Sequence, residues 1–277
     1  MAPYSKYDSS YIMSKTLEDI TLINNQKILQ PEFSEFVDYI KIEDGEPVLW
    51  IYGYGSLIWL PKFEYSKSEV GFVEGFAIRF WQGNTTHRGT PDAPGRVATL
   101  IEDRCSVTWG RSFQLRGMKQ INEALKHLCT REMKLGGYKY ECMNFHVHDS
   151  DKKETLQAIT FVATPDNKHY LGPASINEIA ATIVYSQGKS GPNLEYLFRL
   201  TDSLREINPQ IVDEHLWDIE NECHNLLKRR RSNDTSEFQA GQIDGQLMHK
   251  DAAADSTNRS FVSSLNFNNS FCNIRPE

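Results

Sequence analysis

An acid at the end of an apolar stripe and a glycine pair at the end of a strand are the features of this chain best suited to chemistry. Glu132 sits in the run Lys119-Gln120-Ile121-Asn122-Glu123-Ala124-Leu125-Lys126-His127-Leu128-Cys129-Thr130-Arg131-Glu132-Met133. As a helix, that run buries Ile121, Leu125 and Leu128 on one stripe, and the next step of the same spacing lands on Glu132. An acid on the apolar side of a helix is costly unless it is paired or neutral. Burial raises a carboxyl pKa toward the range in which the group both takes and gives a proton. The plainer reading is a glutamate that reaches solvent or answers Arg131. Glu123, nine positions earlier in the sequence, falls on the opposite face and reads as solvated.

The second feature is Tyr52-Gly53-Tyr54-Gly55-Ser56-Leu57, directly after an apolar strand. Two glycines in alternate positions let the backbone turn sharply and leave amides unshielded by a Cβ. Successive amides in such a turn can cradle a carboxylate or an oxyanion, and Ser56 can add a hydroxyl. The pattern lacks the Gly-Lys-Ser/Thr of a phosphate loop and the third glycine of a dinucleotide fingerprint. A strand-ending turn is therefore the default reading.

Further along, His87, Arg88 and Arg96 lie in a glycine- and proline-rich stretch. They can hold an anionic substrate or serve equally as surface groups and ion pairs. His146 and His148 share one face of a strand, but no third ligand accompanies them, so a solvated pair is expected and no metal site.

These residues need elements to position them. Strand-like runs rich in β-branched and aromatic residues cover 48–52, 70–81, 96–101, 106–115, 140–148 and 155–163. Helices follow later. Ser175-Ile176-Asn177-Glu178 is a capping box, with Gly188 placed to close that helix. Residues 193–207 form a second helix stopped by Pro209, and 211–227 a third with Leu216, Ile219, Cys223 and Leu226 inward. Strands first and helices later predict an α+β fold rather than alternating α/β. There is no internal repeat. Residues 1–46 read as a largely irregular extension with a short helix near 33–40, 47–228 as the folded body, and 229–277 as a disordered tail poor in large apolar groups. The run Lys228-Arg229-Arg230-Arg231 reads as a basic helix end, with a localisation signal as the alternative.

Composition narrows the function. The 277 residues carry a net charge of −7, which argues against a general nucleic-acid binder. The five cysteines are odd in number and contain no Cys-x-x-Cys, so neither a disulfide framework nor a structural zinc site is expected. Reduced thiols fit a cytoplasmic protein. No charged region followed by an apolar run occurs near the N-terminus, so a secretory signal is not expected, and no run approaches the ~18 apolar residues of a membrane span.

Taken together, the motifs point to a family. Tyr52-Gly53-Tyr54-Gly55-Ser56-Leu57-Ile58-Trp59 resembles the opening motif of the ChaC-type γ-glutamylcyclotransferases, in their glutathione-specific branch. The resemblance continues through Arg79-Phe80-Trp81-Gln82-Gly83, His87-Arg88-Gly89, Pro94-Gly95-Arg96-Val97, Arg131-Glu132 with Gly136-Gly137-Tyr138, Tyr170-Leu171-Gly172-Pro173 and Asn193-Leu194-Glu195-Tyr196-Leu197. It spans about residues 47–220, in order. The spacing from Glu132 to Gly136 is similar to one version of the family, and the two terminal segments match no part of it. The resemblance implies a mixed β-barrel with packed helices, and cleavage of glutathione to 5-oxoproline and cysteinylglycine without a cofactor. It implies a substrate-binding loop of Ile51, Tyr52, Gly53, Tyr54, Gly55 and Ser56, with Glu132 as catalytic acid/base and Tyr196 lining the same pocket. It names no protein partner. Two alternatives stay open: a cyclotransferase for other γ-glutamyl amino acids or amines, and a non-catalytic binding or regulatory protein on the same scaffold.

Overall fold

The computed structural model describes residues 29–148 and 154–248, with side chains described as far as residue 232. Residues 1–28 of the expected extension, 249–277 of the expected tail, and Cys272 lie outside the described residues.

Strand β2 (Glu46–Gly53) explains the architecture. It is apolar at almost every position rather than at alternate ones, because both of its faces are covered. Val48, Trp50 and Tyr52 enter one core cluster, while Leu49 and Ile51 enter another. β2 pairs antiparallel with β4 (Gly95–Arg116) and parallel with β6 (Thr155–Val162). β4 pairs with β3 (Lys67–Asn84), β3 with β5 (Lys139–Val147), and β5 with β6. The sheet order β1-β2-β4-β3-β5-β6, with the added β2–β6 pair, thus closes five strands into a ring. Short β1 (Lys41–Glu43) lies on β2 outside that ring.

One core cluster carries α2 (Ile176–Tyr185), α3 (Asn193–Ile207) and the start of α4 (Glu214–Met248) against the ring. The other carries α1 (Met118–Leu128) and a 3-10 helix over Pro31–Tyr39. The folded body therefore begins earlier than residue 47. Phe33 and Phe36 are buried against the α1 cluster, and the Phe36 ring lies 4.6 Å from that of Tyr140. The large aromatic area they bury holds this polar segment in place.

Three other expectations change. The strands expected over 96–101 and 106–115 are one strand, in which residues 103–106 stand out of the ladder at a register shift and pairing with β3 resumes on either side. The helix opened by Ser175 stops at Tyr185 rather than near Gly188. Ser186 is pulled into extended backbone, where its amide closes the last turn, its carbonyl accepts from Asn193, and its hydroxyl donates to Pro94 O. The basic run at 228–231 lies inside α4, not at its end. The described residues up to Lys228 make one compact unit and those from Arg229 another.

Candidate active site

The helix expected to carry Glu132 changes pitch before reaching it. α1 ends at Leu128, and Cys129–Leu135 continue as a π-helical turn, a widened geometry that recurs at functional sites. Gly136 and Gly137 close it. Gly137 takes φ 69°, and the Gly136 carbonyl accepts from both Gln82 Nε2 and Asn167 Nδ2 at 3.0 Å. Ile121, Leu125 and Leu128 are all fully buried, as their spacing predicts.

Glu132 is only 15% exposed, and its carboxylate meets Arg131 Nε at 2.9 Å. Burial pushes the Glu132 carboxyl above its ordinary pKa, and the Arg131 guanidinium pulls in the opposite direction without restoring it. Arg131 also donates to Leu60 O at 3.2 Å and to Ser56 Oγ, which ties the acid to the glycine turn. That turn leaves β2 and enters a short 3-10 helix over Ser56–Ile58. Its first amide with a backbone acceptor is that of Ile58, which donates to Gly55 O. The amides ahead of it have no intrahelical partner. Both glycines are needed for close approach. A Cβ on Gly53 would meet Leu57 Cβ at 2.6 Å, and one on Gly55 would meet the Tyr196 hydroxyl at 3.1 Å.

A cleft with about 340 Å³ of free space, counting its open mouth, joins these groups. Tyr52, Gly53, Tyr54, Gly55, Ser56, Glu132 and Tyr196 all line it, together with Tyr138. Ile51 does not. Its side chain points to the opposite face of β2, fully buried in the α1 cluster, and supports the turn from behind.

A β-bulge builds the far wall. Between the pairs Arg79↔Thr99 and Gln82↔Val97, two residues of β3 oppose Ala98 alone. Tyrosine hydroxyls serve both backbone groups of Ala98. Its N–H donates to the Tyr196 oxygen at 3.3 Å, and Tyr138 donates to its carbonyl at 3.0 Å. Tyr54 donates to Phe161 O at 2.6 Å. Burial holds Tyr54 and Tyr138 well above the usual phenol range and Tyr196 at about 12, so all three are neutral. Of these three phenol protons, those of Tyr54 and Tyr138 are committed to carbonyls. The Tyr196 proton is left for the cleft. Tyr138 stood in a sequence motif but had no role assigned; a bulge that needs two hydroxyls carries no signal in the sequence.

The remaining candidates have other duties. Arg88 pairs with Glu195 at 3.0 Å, and buried Arg96 donates to the carbonyls of Phe80 and Gly172. His87 Nδ1 meets Ser190 Oγ at 2.8 Å. His146 and His148 lie against Phe72 and Trp109, and no cluster of metal-ligating side chains occurs among the described residues. Glu123 is exposed. Cys129 precedes Glu132 by one turn, but burial pushes its thiol up to about 11. Among the described residues, no helix is long and apolar enough to cross a membrane.

A closed ring of mixed strands, with one buried carboxyl set against a glycine turn and three neutral phenols, defines a small-molecule cleft with the means for proton transfer. The comparisons give that class a family. The model of the ChaC-like protein family matches residues 49–226, and this chain belongs to that family. The glutathione-specific gamma-glutamylcyclotransferase 1 of Mus musculus is 52% identical over 185 residues, covering 66% of this chain and 82% of the mouse protein. Gamma-glutamylcyclotransferase 2-3 of Arabidopsis thaliana is 38% identical over 184 residues, covering 65% and 90%. A crystal structure of a yeast γ-glutamyl cyclotransferase specific to glutathione superposes with a TM-score of 0.58 at 29% identity, over 65% of this chain and 99% of that one.

Proposed function

We propose that this protein degrades glutathione as a γ-glutamylcyclotransferase, releasing 5-oxoproline and cysteinylglycine. The observation that carries the reading is the buried Glu132 carboxyl, with a raised pKa, lining one cleft with a glycine turn whose Gly55, Ser56 and Leu57 amides have no intrahelical partner.

The substrate contains its own nucleophile. Its α-amine, once neutral, attacks the γ-carbonyl carbon. A C–N bond closes the five-membered ring, and the γ-amide C–N bond breaks. Holding the two ends together replaces an encounter with a ring closure, worth on the order of several kcal/mol. Glu132 takes one proton from the ammonium before attack and gives it to the departing cysteinyl nitrogen; the ring nitrogen sheds a second proton as the γ-amide bond breaks, and the released peptide amine takes it up and leaves as an ammonium. A raised pKa suits both transfers. The amides of Gly55, Ser56 and Leu57 hold the glutamyl α-carboxylate or the developing oxyanion. The uncommitted Tyr196 proton offers a further hydrogen bond to the reacting carbonyl. Protons balance within the cycle, and no covalent enzyme intermediate forms.

The working unit is the body centred on residues 47–228, with 29–46 as its packed edge. We assign the activity to the cytoplasm. The four described cysteines are all free thiols, as a reducing compartment would keep them. The test is direct: purified protein with glutathione should yield 5-oxoproline and cysteinylglycine in equal amounts. Turnover of γ-glutamylalanine or γ-glutamyl-lysine in preference to glutathione would move the assignment to another γ-glutamyl substrate.

A further inference from the structure

We propose that Asn193 is a positioning residue for this reaction. Its buried carboxamide takes the place of a neighbouring strand on β4, and so holds the Tyr196 hydroxyl between the Ala98 amide and the cleft. The catalytic part of the claim rests on the cyclotransferase reading.

Strand β4 lacks a strand neighbour on one edge where it borders the cleft. Residues two apart on a strand turn their backbone groups to the same edge, so Arg96 and Ala98 share one. β3 takes the opposite edge, and β2 covers this one from Arg111 to Arg116 alone. Backbone groups left bare inside a core need partners, and α3 supplies them. Arg96 N donates to Asn193 Oδ1 at 2.6 Å, and Asn193 Nδ2 donates to Arg96 O at 2.8 Å. A facing residue in an antiparallel ladder makes the same two bonds. Here one side chain makes both. Two residues along, the Ala98 amide meets the Tyr196 oxygen at 3.3 Å.

The spacings agree. Arg96 and Ala98 lie roughly 6.8 Å apart along the strand. Asn193 and Tyr196, three apart on α3, present side chains on one helix face about 5–6 Å apart. The length of the phenol covers the difference.

Asn193 is not spent as a helix-start residue usually is. An asparagine at a helix start commonly caps the amides of its own helix. α3 has no side-chain cap, and both carboxamide atoms go to β4 instead. Asn193 is fully buried, and its own N–H donates to Ser186 O at 2.9 Å. Gly95 makes room for it, since a Cβ there would lie 2.7 Å from Asn193 Oδ1. The Arg96 side chain anchors the other partner on the carbonyls of Phe80 and Gly172. The pinned end of α3 thus fixes where Tyr196, one turn on, enters the cleft. Ala98 and Tyr196 line the cleft and Asn193 does not, so Asn193 acts through the phenol rather than on the substrate.

The test is a double-mutant cycle on the full chain, with Asn193→Asp and Tyr196→Phe alone and together. It is read as 5-oxoproline release from glutathione and as thermal unfolding. Aspartate keeps the shape and the acceptor for Arg96 N–H but sets a carboxylate oxygen against Arg96 O. Asn193→Asp should lower kcat about tenfold with KM changed less than about twofold, because the displaced hydroxyl serves the transition state. In the Tyr196→Phe protein the same change should cost less than about twofold in kcat. The melting losses should also be non-additive, since the second substitution removes a bond already weakened by the first. An equal loss of kcat in both backgrounds, a wild-type kcat in Asn193→Asp, or additive melting losses would overturn the proposal. Should the aspartate variant not fold, Asn193→Ser, smaller and uncharged, enters the same cycle with the same criteria. If wild type releases no 5-oxoproline, the cyclotransferase reading falls, and the melting cycle alone then judges whether Asn193 holds the hydroxyl.

Discussion

Replacing Tyr196 by phenylalanine removes one oxygen at the point where the β-bulge meets the cleft. Ala98 is 3% exposed and Tyr196 6% exposed, so water does not readily replace the lost acceptor. The Ala98 amide would be left as a buried, unpaired donor, at a cost of about 1–3 kcal/mol. The native bond is long at 3.3 Å, which favours the lower half of that range. In a body of this size each kcal/mol moves the melting temperature by roughly 2–4 °C, so a fall of about 2–8 °C is expected. Thermal unfolding by circular dichroism reads it. Tyr138→Phe removes a donor from the Ala98 carbonyl instead, and should cost about 0.5–1.5 kcal/mol, since an under-satisfied carbonyl is tolerated better. The two hydroxyls hold one residue, so the double variant should depart from additivity. Both single variants should also slow 5-oxoproline release. A Tyr196→Phe protein that melts with wild type, with additive losses in the double variant, would show that the Ala98 amide has another acceptor and that the bulge does not depend on the cleft.

Other outcomes follow from the same geometry. Gly55→Val places a branched side chain where even a Cβ lies 3.1 Å from the Tyr196 hydroxyl; glutathione kcat/KM should fall at least about tenfold by lost access, as steady-state kinetics will show. Phe36→Ala empties a fully buried site and should cost about 3–5 kcal/mol in urea unfolding, where an irregular extension would cost almost nothing. Arg131→Gln removes the cation that opposes the burial effect on Glu132, so the acid limb of the kcat/KM profile should move to higher pH. The stability sign is fixed by the same group. The folded carboxyl binds its proton more tightly than the unfolded one, so its contribution is greatest in acid. It is lost as pH rises from the ordinary carboxyl range through the raised value. Urea unfolding at about pH 4 and about pH 8 should show the Arg131→Gln penalty growing with pH.

Parts of this arrangement were readable from residue spacing because they depend on local rules. The Ser175 capping box forms, with the Glu178 amide donating to Ser175 Oγ at 3.3 Å. The second helix spans Asn193–Ile207, the expected bounds, because Pro192 and Pro209 flank it. The 4-3-4 apolar spacing correctly placed Ile121, Leu125 and Leu128 inward and led to Glu132. Other parts depend on distant partners. The π-helical turn is closed by Gln82 and Asn167, far away in sequence, and no periodicity within 119–133 announces it. The Ala98 bulge is a register mismatch between two long strands, so Tyr138 gained a role only through tertiary contact. Ile51 adjoins Tyr52 in sequence, yet strand alternation sends it to the other core. The early packing of residues 29–46 escaped notice because two phenylalanines in a polar segment are a weak signal.

The central measurement is 5-oxoproline release from glutathione by Glu132→Gln, with substrate binding followed by calorimetry. The substitution keeps the shape of the side chain and removes its proton-carrying role. Turnover should fall by about 10²–10⁴-fold with glutathione still bound. Turnover within a few-fold of wild type, in a protein that folds normally, would contradict the account.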